Sequence, residues 1–125
     1  MTVYVFSLYR TQINFISINH YKELNLLEDK LRKSPLLVAY FSQEDCQVCK
    51  VLKPKVEHLV DSFKGIEFLY IDIKSYPAIS GQYLIFSIPT IIIFASGKEY
   101  TRFSRYFSMD DLNAALEKLH DLVFG

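Results

Sequence analysis

The chain lacks tryptophan, contains only two cysteines and has no excess of charge of either sign. Its 14 lysines and arginines balance 14 aspartates and glutamates, so no overall field attracts it to nucleic acid or to an anionic membrane. No apolar run approaches the roughly 20 residues of a membrane-spanning helix. The N-terminal segment also lacks the basic start, apolar run and small-residue cleavage site of a secretory signal. These absences predict a soluble, cytoplasmic protein that binds neither nucleic acid nor membrane.

The length and composition are those of one globular domain. The chain has 125 residues, of which 50% are hydrophobic and 22% charged, enough for a single packed core. We predict one domain over residues 13–125. Residues 1–12 are predicted to be an N-terminal arm or an additional strand.

The hydrophobic periodicity predicts an α/β protein. A strand precedes a helix at the start, a near-continuous apolar strand follows, and a β-hairpin and a helix close the chain. The predicted strands cover 13–18, 36–41, 66–73, 90–95 and 98–104, and the predicted helices cover 21–31, 46–63, 76–83 and 108–122. The predicted order is therefore βαβαβαββα, with Ser108 as the N-cap of the last helix.

The two cysteines are the main candidates for chemistry. Cys46 and Cys49 directly follow the apolar strand 36–41 and stand at the start of a predicted helix. At this spacing the two thiols can form a disulfide within one helical turn. The alternative is half of a zinc site, which needs two further ligands. Because His20, His58 and His120 lie far apart in the sequence, we predict no metal site.

With these motifs the chain resembles the thioredoxin family over roughly residues 13 to 122. The apolar strand leads into Cys46-x-x-Cys49-Lys50, Pro54 lies in the following helix, and Ile88-Pro89-Thr90 opens the penultimate strand. The resemblance implies a three-layer α/β/α sandwich with a central mixed sheet of four to five strands flanked by helices. It also implies a cis peptide bond between Ile88 and Pro89.

The resemblance further implies a thiol-disulfide oxidoreductase that reduces protein disulfides through a Cys46/Cys49 dithiol-disulfide cycle. Cys46 is then the nucleophile, Cys49 the resolving thiol, and Ile88 and Pro89 the contact for a bound peptide. No cofactor is expected. The implied partners are protein disulfides and an electron donor, either a thioredoxin-reductase-like protein or another thiol system, and we expect a monomer or weak dimer.

Several residues depart from the family pattern. Members commonly carry Trp-Cys-Gly-Pro-Cys, whereas this chain has Gln47 and Val48 between its cysteines, and these two residues are expected to tune the redox potential. Glu44 and Asp45 place negative charge beside Cys46, which raises the pKa of a thiol. Asp45 is equally well suited to be the N-cap of the helix.

Two further substitutions concern proton transfer and substrate binding. Tyr40 stands where thioredoxin has a buried aspartate, and a tyrosine cannot act as a general base at neutral pH. Arg105 stands where the family usually has a glycine beside the substrate groove. We expect its cation to reach over the site and counter Glu44 and Asp45; the alternative is a solvated arginine on an edge strand.

A second functional hypothesis is a thioredoxin-fold binding or accessory module with weak or regulatory redox activity. Tyr40, Glu44, Asp45 and the missing tryptophan favour it, while the two cysteines and Pro89 oppose it. A third hypothesis, an oxidase or isomerase, requires an oxidising compartment, for which the sequence has no targeting segment. Four aromatic residues near Arg105 are candidates for an exposed partner-binding patch: Tyr100, Phe103, Tyr106 and Phe107.

Overall fold

The computed structural model describes the backbone of residues 10–125 and the side chains of residues 22–125. This part of the chain contains four helices and four strands, which alternate except that β4 directly follows β3. The elements are α1 (Arg10–Lys33), β1 (Leu36–Ser42), α2 (Gln47–Asp61), β2 (Glu67–Asp72), α3 (Pro77–Gln82), β3 (Thr90–Ala95), β4 (Lys98–Ser104) and α4 (Met109–Phe124). Positions 1–9 lie outside the described residues, and the arm or strand predicted there stays a prediction.

The N-terminal segment differs from the expectation. The strand predicted over residues 13–18 is wrong, because these residues belong to helix α1. Ile13 and Ile16 are three residues apart, as are Phe15 and Ile18, so the apolar run fits a helix as well as a strand. No glycine or proline interrupts the chain before Pro35, which disfavours helical backbone in the residue before it.

The four described strands form one mixed sheet in the order β2-β1-β3-β4. β1 pairs in parallel with β2 and antiparallel with β3, and β3 pairs antiparallel with β4. All seven residues of β1 are buried, as expected for a central strand with both faces covered. The antiparallel register sets Phe41 opposite Thr90, which brings the carboxyl end of β1 to the start of β3.

Helices cover both faces of the sheet, so the predicted three-layer sandwich is confirmed. Alternate residues of β1 enter different apolar clusters. One cluster contains Leu37, Ala39 and Phe41 with buried residues of α1 and α3. The other contains Leu36, Val38 and Tyr40 with buried residues of α2 and α4.

Strand β2 is less buried than its apolar sequence indicated. Of its six residues only Ile71 is buried. Within the described residues β2 pairs with β1 alone, so it is an edge strand with one face partly open. No helix within residues 10–125 is both long and apolar enough to cross a membrane.

Candidate active site

The two cysteines form a disulfide at the junction of β1 and α2. Their Cα atoms are 5.2 Å apart. Cys46 is the N-cap of α2, and its Sγ accepts a hydrogen bond of 3.2 Å from the Cys49 amide. The expectation that Asp45 caps this helix is wrong, because the Asp45 carboxylate accepts a hydrogen bond from the Gln43 side chain instead.

The two cysteines differ in their access to solvent. Cys46 is partly exposed at the end of the helix, whereas Cys49 is fully buried one turn further on. Only Cys46 is therefore open to a macromolecular disulfide, and Cys49 approaches it from inside the protein. This asymmetry is what a nucleophile and a resolving thiol require.

Pro89 lies at the same end of the sheet as the cysteine loop. It directly precedes Thr90, which the sheet register sets opposite Phe41 near the end of β1. The Ile88–Pro89 peptide bond is cis, and Pro89 is buried. The Arg105 amide donates to the Pro89 carbonyl oxygen at 3.1 Å, so the loop after β4 is fixed to the same end of the sheet.

Ile88 lies two residues before the first residue of β3 and is only partly buried. None of the backbone hydrogen bonds that tie together the loops of residues 22–125 involves Ile88. Its backbone groups are therefore not engaged by those bonds.

The charges near Cys46 are arranged differently from the sequence-based expectation. Lys74 Nζ lies 3.5 Å from the Asp45 carboxylate. The hydrogen bond from Gln43 and the charge of Lys74 both lower the pKa of Asp45. Glu44 is exposed. The cation that pairs with Asp45 is therefore Lys74, a residue that the sequence analysis missed although it follows a strand parallel to β1.

The Arg105 side chain contacts Tyr106. Its guanidinium carbon lies 5.5 Å from the centre of the Tyr106 ring, and its side chain is exposed. The residue has a positive φ of 57° and comes directly after β4 ends. Among residues 22–125 no ion pair joins Arg105 to Glu44 or Asp45; its guanidinium makes a cation–π contact with its own neighbour instead. The alternative, an exposed arginine at the edge strand, describes it better.

Tyr40 contacts the backbone of Cys49, which the sequence did not reveal. Its hydroxyl donates a hydrogen bond of 2.7 Å to the backbone carbonyl oxygen of Cys49. Its ring is fully buried and stacks on Tyr70, with 6.1 Å between ring centres. Burial, followed by the neighbouring Tyr70, raises the pKa of Tyr40, so the phenol stays protonated at neutral pH.

No described contact joins His58 or His120 to a cysteine. His58 is exposed on α2. The Nε2 atom of His120 donates to the Lys64 carbonyl oxygen at 2.8 Å, and its ring lies close to Phe63 and Phe124. The side chain of His20 is outside the described residues. In the part of the chain with described side chains, no three His, Cys, Asp or Glu residues cluster as metal ligands.

The four candidate aromatic residues do not form one exposed patch. Tyr106 is 87% exposed and Tyr100 is 48% exposed. In contrast, Phe103 and Phe107 are partly buried against the α2/α4 side of the core. The sequence analysis missed Phe86, three residues before Pro89, which is also 87% exposed.

Comparison with known proteins agrees with this architecture. The family model for thioredoxin matches residues 13–118. Thioredoxin from Chlamydia trachomatis is 38% identical over 74 residues, covering 59% of this chain and 72% of the relative. The thioredoxin-like protein YdfQ from Bacillus subtilis is 23% identical over 99 residues, covering 79% of this chain and 88% of the relative.

Among solved structures, thioredoxin 1 from Thermosipho africanus superposes with a TM-score of 0.65. It is 31% identical, and the match covers 69% of this chain and 96% of the other. The family model spans most of the chain and includes both cysteines and Pro89. This chain therefore belongs to the thioredoxin family and, with its disulfide-forming Cys-x-x-Cys pair, is a thiol-disulfide oxidoreductase.

Proposed function

We propose that this protein reduces disulfides of protein substrates in the cytoplasm, with Cys46 as the nucleophile and Cys49 as the resolving thiol. The observation that carries the proposal is the contrast between the partly exposed Cys46 and the fully buried Cys49 within one disulfide. A substrate disulfide can approach Cys46 from solvent. Buried Cys49 can react only with Cys46.

The reaction proceeds in two exchanges. The Cys46 thiolate attacks one sulfur of the substrate disulfide, so a mixed disulfide forms and one substrate thiolate leaves. The Cys49 thiol then loses its proton, its sulfur attacks Cys46 Sγ, and the second substrate thiolate leaves and takes up a proton. The substrate gains two electrons, which the cysteine pair loses. A thioredoxin-reductase-like protein or another thiol donor restores the dithiol.

The position of Cys46 supports its role as nucleophile. Unpaired amides and the positive end of the helix dipole at the start of α2 stabilise a thiolate. The Cys49 amide already points at Cys46 Sγ. Lys74 offsets the negative charge of Asp45 next to Cys46. The positive charge of Lys74 therefore reduces the repulsion between Asp45 and the Cys46 thiolate. Gln47 and Val48 then adjust the potential of the pair.

The substrate strand is proposed to pair with Ile88 beside Pro89. Proline has no amide hydrogen, so Pro89 leaves the neighbouring backbone of Ile88 as the pairing edge. The Arg105 amide donates to the Pro89 carbonyl oxygen, and its exposed guanidinium lies over the Tyr106 ring at the proposed rim of the groove. The protein is proposed to act as a monomer or weak dimer with residues 13–125 as one domain.

One observation favours a second candidate, a binding or accessory module with weak redox activity. Tyr40, the buried titratable side chain that contacts Cys49, is a phenol whose pKa burial raises. It cannot accept the Cys49 proton at neutral pH. If resolution were slow for this reason, the protein would hold its partners rather than turn them over.

A trapping experiment separates the two candidates. Cys49→Ser cannot resolve a mixed disulfide, so it should retain substrate proteins on Cys46 through bonds that dithiothreitol releases. Cys46→Ser, which keeps Cys49, is the matched control and should retain none. Equal, dithiothreitol-resistant retention by both variants would contradict the reductase and favour the binding module.

A further inference from the structure

We propose that Tyr40 is a positioning residue for the resolving cysteine: its hydroxyl holds the backbone of Cys49 in place for attack on the mixed disulfide. The inference rests on the proposed function, because it assigns Tyr40 a part in the second exchange. Tyr40 belongs to the central strand β1, and Cys49 lies in the first turn of α2. The 2.7 Å hydrogen bond between them therefore joins the sheet to the redox helix.

The donor itself is held rigidly. Tyr40 is 0% exposed, and its backbone pairs with β2 on one side and β3 on the other. The ring centres of Phe68 and Tyr70 each lie 6.1 Å from the ring centre of Tyr40. With its ring packed in this way and its phenol protonated, the hydroxyl has a fixed position and remains a donor.

The acceptor does not need this bond for its own satisfaction. Both Cys49 and Lys53 lie in α2, and regular helix geometry pairs a carbonyl oxygen with the amide four residues later, which for Cys49 is that of Lys53. Removing the tyrosine hydroxyl should therefore not leave the buried carbonyl oxygen without a hydrogen bond. The free-energy penalty of an unpaired buried acceptor would otherwise dominate the effect of the substitution. What the hydroxyl adds is a restraint on the first turn of α2.

That restraint matters most when the disulfide is open. In the oxidised protein the bridge to Cys46 already fixes Cys49. In the dithiol and in the mixed disulfide this covalent restraint is gone, and the Tyr40 bond is what keeps Cys49 near its partner sulfur. A well-placed intramolecular nucleophile reacts faster because less motion must be frozen at the transition state.

Glutathione is a suitable probe, because its mixed disulfide with Cys46 resolves by the same attack of Cys49. Tyr40→Phe should slow glutathione release from that mixed disulfide by about threefold to tenfold. It should also lower the equilibrium constant for closing the Cys46–Cys49 disulfide by a similar factor. Tyr70→Phe is the matched control: it removes a hydroxyl from the stacked neighbour, and both quantities should stay within about twofold.

The outcomes are distinct. If Tyr40→Phe releases glutathione as fast as the unmodified protein and closes its disulfide equally well, Tyr40 only fills the core and the inference is wrong. If the unmodified protein does not exchange with glutathione at all, the proposed function fails and the inference fails with it.

A measurement on the unmodified protein covers the case in which Tyr40→Phe does not fold. Hydrogen exchange at the Lys53 amide reports the opening of the first turn of α2. If the Tyr40 bond holds this turn, protection should change little when the disulfide is reduced. A loss of protection by more than about tenfold on reduction would show that the disulfide, rather than Tyr40, holds the turn.

Discussion

Lys74 and Asp45 form an ion pair at the rim of the disulfide, with 3.5 Å between Nζ and the carboxylate oxygen. Asp45 directly precedes Cys46, and Lys74 follows the end of β2. Because β2 runs parallel to β1, the two strands finish at the same end of the sheet, and a charged residue follows each of them. The negative charge of Asp45 beside Cys46 is therefore offset by Lys74, whereas Glu44 is exposed.

The first prediction concerns the pKa of the Cys46 thiol in the reduced protein. Lys74→Ala removes the cation that pairs with Asp45, so the Asp45 carboxylate should oppose the thiolate more strongly and the pKa should rise, most clearly at low salt. The thiolate absorbance in the ultraviolet, followed against pH, measures the change.

Arg105→Ala is the matched comparison and also tests the sequence-based expectation. Since the guanidinium lies over Tyr106, its removal should shift the Cys46 titration less than Lys74→Ala does. A larger shift for Arg105→Ala would show that Arg105, and not Lys74, sets the charge felt by the thiolate.

The second prediction is a pH effect on stability. Arg102 donates two hydrogen bonds to the Glu99 carboxylate, and this contact lowers the pKa of Glu99. A lowered pKa stabilises the fold above the unfolded value of about 4.3, and this contribution disappears as the pH falls through the folded value. Because both side chains are about one-third exposed, we expect less than about 1 kcal/mol.

Urea unfolding at neutral and acidic pH checks this contribution. Glu99→Gln should lose stability at neutral pH relative to the unmodified protein, and the difference should shrink toward pH 3. Lys53 and Glu57 form a second, more exposed pair, so Glu57→Gln serves as the control with a smaller difference. A Glu99→Gln effect that grows on acidification would contradict the assignment.

The third prediction compares two phenylalanines of opposite exposure. Phe94 in β3 is 1% exposed, whereas Phe86 is 87% exposed. Phe94→Ala should lower the free energy of unfolding by about 3–5 kcal/mol, because it leaves a cavity in the core. Phe86→Ala should change it by no more than about 0.5 kcal/mol. Urea unfolding measures the free energy of unfolding of both variants. A loss of stability in Phe86→Ala comparable to that in Phe94→Ala would contradict the described packing.

The sequence predicted the central part of the fold because its signals there were redundant. The apolar strand before Cys46 and the Ile88-Pro89-Thr90 motif after it each matched a known pattern, and the structure brings them to one end of the sheet. The segment 13–18 lacked such support. Its apolar spacing suited a strand or a helix equally, and the structure has a helix.

Contacts made by side chains from distant elements could not be predicted from the sequence. Nothing in the pattern around Tyr40 indicates that its hydroxyl reaches the Cys49 carbonyl oxygen, because that depends on the angle between α2 and the sheet. The prediction that Asp45 is the N-cap of α2 was wrong for a similar reason. Aspartate is a better general cap than cysteine, but here Gln43 engages the Asp45 carboxylate and Cys46 Sγ takes the amide.

The most direct test of the central claim is reduction of insulin disulfides with dithiothreitol as the electron source. The Cys46/Cys49 cycle predicts that the protein accelerates insulin reduction well above dithiothreitol alone and that Cys46→Ser removes the acceleration. A rate no faster than dithiothreitol alone, from protein in which titration after unfolding finds both thiols reduced, would contradict the cycle and leave a thioredoxin-fold binding module.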